Sequence, residues 1–445
     1  MRFGSLTLAA AFAASPALAA PDYAPAVSAD YKASLGAIFE TFHRNPELSF
    51  RETRTAAKMA AELRKTGAVV TEGVGGTGVV GVMKNGDGPV VLVRADMDGL
   101  PVEERSGLLY ASKARQVGAD GIEAPVMHAC GHDVHITSMI GTARRLAAMK
   151  DRWKGTVVFV VQPAEERNGG AKAMLEDGLY TRFPKPDFAL AFHVTSMMPV
   201  GMVTAAEGIS SSSSDNVDVT VHGIGAHGAA PQMSKDPVYI ASQIVVALQS
   251  ITSREISPFA PAVITVGAFH SGSKHNIISD RADLQLTVRA NDEKTRSGLL
   301  AAIERVARGV ARTHGVSEDK MPEVKVSEGT PTTVNDPVLA KRLNGVMAHA
   351  LGPAAVVPFQ QTTMSAEDFA YFVQPELGVP GYYFNVGGTP LATFAAARSG
   401  GAPIPSHHSP LFKIDPEPSV TTGTIAMVAA VLDLLKSGPP VAAGQ

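Results

Sequence analysis

Nine consecutive residues, Met127-His128-Ala129-Cys130-Gly131-His132-Asp133-Val134-His135, hold the chain's single cysteine and three of its thirteen histidines. Thiolate and imidazole are the borderline-soft donors that zinc and similar divalent ions select. A free cysteine without such neighbours ordinarily serves as a small buried apolar side chain. Here Cys130 stands one residue from His132, beside a glycine and at the start of a helical run, which favours a ligand. A metal site at this point requires carboxylates and further histidines from distant segments.

The amino terminus bears on the cysteine. Arg2, the apolar run Leu6 to Ala14 and Ser15-Pro16-Ala17-Leu18-Ala19-Ala20 follow the order of a secretory signal, so residues 1–20 are expected to be removed. The mature protein is then periplasmic or secreted, and no later stretch reads as apolar for the length of a membrane helix. In an oxidising compartment cysteines are usually paired, and a lone one has no internal partner. The 445 residues suffice for two cores, while a net charge of −3 without long basic runs argues against a nucleic-acid partner.

Taken in order, the periodicity predicts helices over Ala29 to Phe42 and Arg51 to Lys65, then strands Gly78 to Met83 and Pro89 to Val93 joined as a hairpin through Asn85-Gly86-Asp87-Gly88. The second strand runs into Asp96 and Asp98. Ligands bind at that carboxyl edge in open α/β sheets. A helix from Val134 to Met149 precedes the buried strand Gly155 to Gln162, which delivers Glu165 and Glu166. A helix from Ala171 to Leu179 follows, and the strand Asp187 to Phe192 ends in His193.

Ser210 to Ser214 reads as a polar linker into a different rhythm. Strands Asp215 to His222, Pro261 to Phe269, Arg281 to Ala290 and Glu323 to Ser327 alternate with helices Asp236 to Ser253 and Asp292 to Thr313, the order of a split βαβ unit. The fold class is α/β: an α/β/α catalytic domain with a mixed sheet, in parts 21–208 and 326–445, interrupted by a ferredoxin-like unit over 209–325. The last part carries a helix Pro337 to Ala350, a helix from about Ala366 to Val373 with Ser365 as its cap, a strand Gly381 to Asn385, the pair His407-His408, and a helix Pro418 to Leu435.

The candidate donors are Cys130, His132, one of Glu165 or Glu166, His193, and one of His407 or His408. Five exceed one tetrahedral site and suit two ions about 3.5–4 Å apart with a shared ligand, for which a thiolate is the natural choice. Of two adjacent glutamates, one binds metal while the other acts as general base on a water that the ions acidify. The chemistry is hydrolysis of an amide or related acyl bond.

The stretches HRNPELSFRE, RADMDGLP, MHACGHDVH, QPAEE, AFHV, GIGAHGAAP, SAEDF and HHSPLF, in this order, resemble the amidohydrolase branch of the aminoacylase and carboxypeptidase family of dinuclear metallopeptidases. That branch includes hippurate hydrolases and indole-acetyl-amino-acid hydrolases. The resemblance implies two divalent ions (zinc, manganese, cobalt or nickel) held by Cys130, His132, Glu166, His193 and His408, with Glu165 as general base. It also implies a lid and dimerisation unit over 209–325 and a homodimer. There His227 holds the tetrahedral oxyanion, in a partner's active site, and Asn276 and Arg289 bind a substrate carboxylate. Asp98 orients a metal-bound histidine from behind. Asp96 stands where other branches have a histidine ligand and Cys130 where they have a bridging aspartate, while Gln232 and Ser279 replace an expected histidine and proline. The expected substrate is an N-acyl amino acid. A carboxypeptidase or dipeptidase activity, and a noncatalytic metal-dependent binding protein, are the alternatives.

Overall fold

The computed structural model describes residues 21–436, so the signal-peptide reading falls outside the described residues. A seven-stranded sheet runs in the order Val69–Val74, Gly78–Asn85, Gly155–Gln162, Val90–Asp96, Phe188–Pro199, Gly381–Thr389, Val203–Thr204. The four strands from Gly155–Gln162 to Gly381–Thr389 are mutually parallel. Parallel strands are covered on both faces and read as near-continuous apolar runs. GTVVFVVQ is buried at every position and keeps the bounds read from the sequence.

The expected hairpin between Gly78 and Val93 does not form, because Gly155–Gln162 lies between those strands. Gly78–Asn85 instead turns back on Val69–Val74 through Gly75 and Gly76, whose positive φ (65° and 105°) a tight turn needs. Val69–Val74 is a half-exposed edge strand and lacks the apolar signature of its neighbours. The strand carrying His193 continues to Pro199, so His193 is not at its end. It still lies beyond the adjacent strand, whose pairing stops at Arg94 with Ala191.

The four-stranded sheet, in the order Ala262–Ser271, Arg281–Ala290, Ser214–His222, Glu323–Thr330, is antiparallel throughout and repeats the expected split βαβ order. Helices Pro237–Ser250 and Glu293–Thr313 close its own apolar core, including Val219, Ile244, Leu284 and Ile303. The serine run entering this sheet is not an open linker: Ser210 to Ser214 are all buried. Two of the hydroxyls find partners, Ser212 Oγ donating to Asn291 Oδ1 at 2.6 Å and Ser213 Oγ accepting the Ala290 N–H at 3.1 Å, while Ser210 Oγ is buried without one.

Two further corrections concern the carboxyl-terminal part. Ser365 caps no helix: the turn Asp368–Val373 is 3-10 and its cap is Glu367, which accepts the Phe369 N–H. Among the described residues one helix, Pro416–Lys436, is long and apolar enough to cross a membrane, with mean hydropathy 1.5. Most of it packs inside the protein, against His132–Ala148 and Pro337–Leu351. The sequence reading gives nearly this length, Pro418 to Leu435, but Thr421, Thr422 and Gly423 interrupt the apolar run.

Candidate metal centre

Gly131 is left-handed at φ 85°, and a Cβ there would come within 2.3 Å of Val194. The glycine therefore lets the chain turn directly from Cys130 into the helix His132–Ala148. Cys130 Sγ lies 3.4 Å from His193 Nε2. His408 Nε2 lies 3.3 Å from Glu166 Oε2, and His132 Nε2 is 3.8 Å from Glu166 Oε1 and 3.9 Å from Glu165 Oε2. The donor atoms of Cys130, His132 and His193 fall within 4.8 Å of one another, as do those of Cys130, Glu166 and His408. Cys130 is common to both triads. The His408 side chain is 57% exposed and forms the open side of an otherwise buried cluster.

Hydrogen bonds sort the remaining histidines. His193 Nδ1 donates to the Val194 carbonyl at 2.6 Å, which leaves the Nε2 lone pair toward Cys130. His135 has neither nitrogen free: Nε2 accepts the Val194 N–H at 2.8 Å and Nδ1 donates to Asp96 Oδ1 at 2.5 Å. His407 Nε2 donates to the Val194 carbonyl at 3.0 Å, and burial pushes its pKa down to about 3. Asp98 supports the donors from behind. Its Oδ1 accepts the Glu165 N–H at 3.2 Å, and its Oδ2 accepts the Glu166 N–H at 3.1 Å and the Ser49 hydroxyl at 2.7 Å. Oδ1 is also 3.2 Å from His132 Nδ1, without the alignment of a hydrogen bond.

Sequence reasoning gave Arg94 no role and placed Glu367 and Asp368 only within the start of the helix capped by Ser365. In the structure Arg94 is buried and donates from Nε to Gln162 Oε1 (2.8 Å), from Nη1 to Asp96 Oδ2 (2.8 Å), and from Nη2 to Glu367 Oε1 (2.7 Å) and Asp368 Oδ1 (3.1 Å). Glu165, Glu367 and Asp368 oxygens lie within 4.8 Å of one another. An arginine directly after the apolar run VVLV, inside the buried strand VVLVRAD, was the available signal.

The residues fit divalent cations. His132 Nε2 and Glu166 Oε1 are buried with no hydrogen-bond partner. Burial, reinforced by Glu166 and Glu165, pushes the Cys130 thiol up, and burial together with Glu367 holds Glu165 well above the usual carboxylate range. His132 is pushed up to about 10, since Asp96 and Asp98 outweigh its burial. Buried carboxylates in excess of cations, beside a thiol and free imidazole lone pairs, call for bound positive charge.

The remaining candidates lie in the four-stranded unit. His227 is exposed on the short strand Ala226–His227, paired with Ile277–Ile278. The Ala229 N–H donates to its Nδ1 at 3.0 Å, so Nε2 carries the proton. His227, Asn276 and Asp280 line one open depression. Arg289 is half-buried near the far end of the strand Arg281–Ala290, donating to Thr287 Oγ1 at 3.2 Å and to the Met364 carbonyl at 3.5 Å. Nine residues of extended chain separate Asp280 from Arg289, about 30 Å at ~3.3 Å per residue. One chain therefore does not bring Arg289 together with His227 and Asn276.

The chain matches the family model described as Peptidase family M20/M25/M40 over residues 92–397. It is 37% identical over 351 residues to hippurate hydrolase of Campylobacter jejuni, covering 78% of this chain and 86% of that protein. It is 38% identical over 350 residues to thermostable carboxypeptidase 2 of Saccharolobus solfataricus, covering 78% and 83%. A dinuclear metal-binding peptidase of the M20 family from Bacillus subtilis has a TM-score of 0.72 at 28% identity, over 93% of this chain and 99% of that one. With the donor cluster at the carboxyl edge of its parallel strands, the chain belongs to peptidase family M20/M25/M40 and is a metal-dependent hydrolase of amide C–N bonds.

Proposed function

We propose that the protein is an exported, dinuclear-metal amidohydrolase that cleaves the amide bond of N-acyl amino acids. The observation that carries the reading is the pair of donor triads sharing Cys130, with Glu165 beside them. Cys130, His132 and His193 would hold one ion, and Cys130, Glu166 and His408 the other. Bound there, zinc, manganese, cobalt or nickel ions supply Lewis acidity toward the carbonyl and lower the pKa of a water.

Glu165 takes the proton of the attacking water and passes it to the leaving nitrogen. Asp98 keeps the two glutamates apart in role, since each of its oxygens accepts a different backbone N–H of the pair. Residues 209–325 act as lid and dimerisation unit between the catalytic parts 21–208 and 326–445. His227 and Asn276 of a second copy reach the site, His227 donating its Nε2 proton to the oxyanion. Arg289, a half-buried guanidinium that among the described residues bonds to a hydroxyl and a carbonyl, is suited to a substrate carboxylate. The periplasmic or secreted location follows from residues 1–20.

A dipeptide or a carboxy-terminal residue offers the same amide and carboxylate, and the likeness to a carboxypeptidase favours that second substrate class. A hydrolysis screen over N-acyl amino acids and dipeptides, run on wild type and Glu165→Ala, tests the reading. Turnover confined to N-acyl amino acids, lost about 10²–10⁴-fold in Glu165→Ala at unchanged metal content, is expected. Preference for dipeptides replaces the substrate class, and an active Glu165→Ala removes the base.

A further inference from the structure

Glu52 stands at the cap position of the helix Thr53–Lys65 yet makes no cap. Glu47 does that work instead: its Oε2 accepts the Thr55 N–H at 2.8 Å and the Thr55 hydroxyl at 2.9 Å, and its Oε1 accepts the Arg54 N–H at 3.3 Å. The Glu52 side chain is left for another task. It is fully buried, and its Oε1 accepts two N–H groups, of Phe50 and of Ala164, both at 2.9 Å. Its Oε2 accepts the Thr77 hydroxyl. None of these partners is cationic, and among the described residues this carboxylate forms no ion pair.

Both N–H groups belong to strained residues. Phe50 and Ala164 have left-handed backbones (φ 60° and 50°), as do Asn168 (51°) and His408 (65°), and these are the four non-glycine cases among the described residues. Ala164 immediately precedes Glu165, Asn168 ends the turn Glu165–Arg167, and His408 belongs to the donor cluster. Such conformations cost about 1–3 kcal/mol each and persist where surrounding contacts enforce them, often at active sites. Asp98 accepts the next two N–H groups, of Glu165 and Glu166. Three successive N–H groups are thus held by two buried carboxylates, one of them Glu52.

We infer that Glu52 is a positioning residue: by fixing the Ala164 N–H it sets the left-handed turn that aims Glu165 at the substrate and Glu166 at the metal. The inference rests on the reading of Glu165 as base and Glu166 as ligand.

The test is steady-state kinetics with metal analysis on purified, metal-loaded wild type, Glu52→Ala, Glu52→Asp, Glu52→Gln and Glu165→Ala. Glu52→Ala, and Glu52→Asp with its carboxylate drawn back by one methylene, are expected to lower kcat about 30-fold, with KM within about threefold and metal content unchanged. Glu52→Gln keeps an oxygen that accepts both N–H groups, and its kcat should return to within about threefold of wild type. If Glu52→Ala does not fold, the Asp and Gln variants decide. The inference is overturned if both of these match wild type, if Gln is as slow as Asp, or if lost activity follows metal content and returns with excess metal. An inactive Glu165→Ala beside normal Glu52 variants removes only this inference, whereas an active Glu165→Ala removes the base on which it rests.

Discussion

At the metal centre Cys130, His132 and Glu165 lie in an interior that exposes at most 9% of any of them, whereas His227 and Asn276 stand on an open face of the four-stranded unit. The centre is charged, strained and nearly closed. All four left-handed non-glycine residues among those described either belong to it or touch the segments that hold it. The depression has no such strain and no cluster of acids. The contrast teaches that the metal-donor cluster is pre-set within one chain, while the groups proposed for the oxyanion stand on an open face that, under the proposed function, a second copy brings to the site.

The sharpest way to break this contrast is to separate the two regions genetically. His227→Ala should lose about 10²–10³-fold in kcat with metal content intact, the usual scale for one oxyanion donor. Mixing it with Glu165→Ala, after dissociation and reassociation, should restore about a quarter of wild-type activity, because half the random dimers carry one intact site. No recovery would place His227 in its own chain's site or outside the reaction.

Arg289→Ala should act on binding rather than chemistry. Its KM for a carboxylate substrate should rise roughly 30-fold or more, with little effect on the matching carboxamide, since a desolvated charge pair is lost only with the first. Equal effects on both substrates would remove Arg289 from carboxylate recognition.

A smaller effect sharpens the difference between histidines that hold metal and those that hold the fold. Buried His43 donates from both nitrogens, to Asp133 Oδ2 at 2.7 Å and to Glu104 Oε1 at 3.1 Å. Burial opposes its charge, but these two hydrogen bonds outweigh it and raise its pKa from 6.5 to about 9. A raised folded-state pKa stabilises fully below pH 6.5, and that stability is lost as pH climbs through 9. His43→Gln should therefore lower stability by about 1–3 kcal/mol at pH 6 in denaturant titration, with the gap from wild type narrowing toward pH 9. A gap that stays constant with pH would leave His43 without a charged role.

How much of this was legible follows from where each cue resides. The buried parallel strands announced themselves as apolar runs, so Asp98 and the Glu165–Glu166 pair could be placed at strand ends from periodicity alone. Sheet order could not: Asn85 to Gly88 has the composition of a hairpin turn, and only the tertiary insertion of Gly155–Gln162 shows that it joins non-neighbours. Polar residues that pair in the interior were misread as surface. The serines 210–214 looked like a linker, Glu52 like one more polar residue of the helix Arg51 to Lys65, and Glu367 and Asp368 like part of a helix start capped by Ser365, because their partners Asn291, Ala164 and Arg94 lie far along the chain. The residues alone left His407 and His408 open and the family resemblance chose His408, for which the Val194 carbonyl that engages His407 supplies the physical reason.

The central claim is that one thiolate serves two metal sites, and cobalt(II) titration of the metal-free protein, followed by thiolate-to-cobalt absorption and by metal analysis, tests it most directly. The account predicts that two equivalents bind, that both the first and the second increase the thiolate band, and that Cys130→Ala lacks the band and fails to retain the pair. A second equivalent that leaves the thiolate band unchanged, or a Cys130→Ala variant that keeps two ions and full activity, would contradict it.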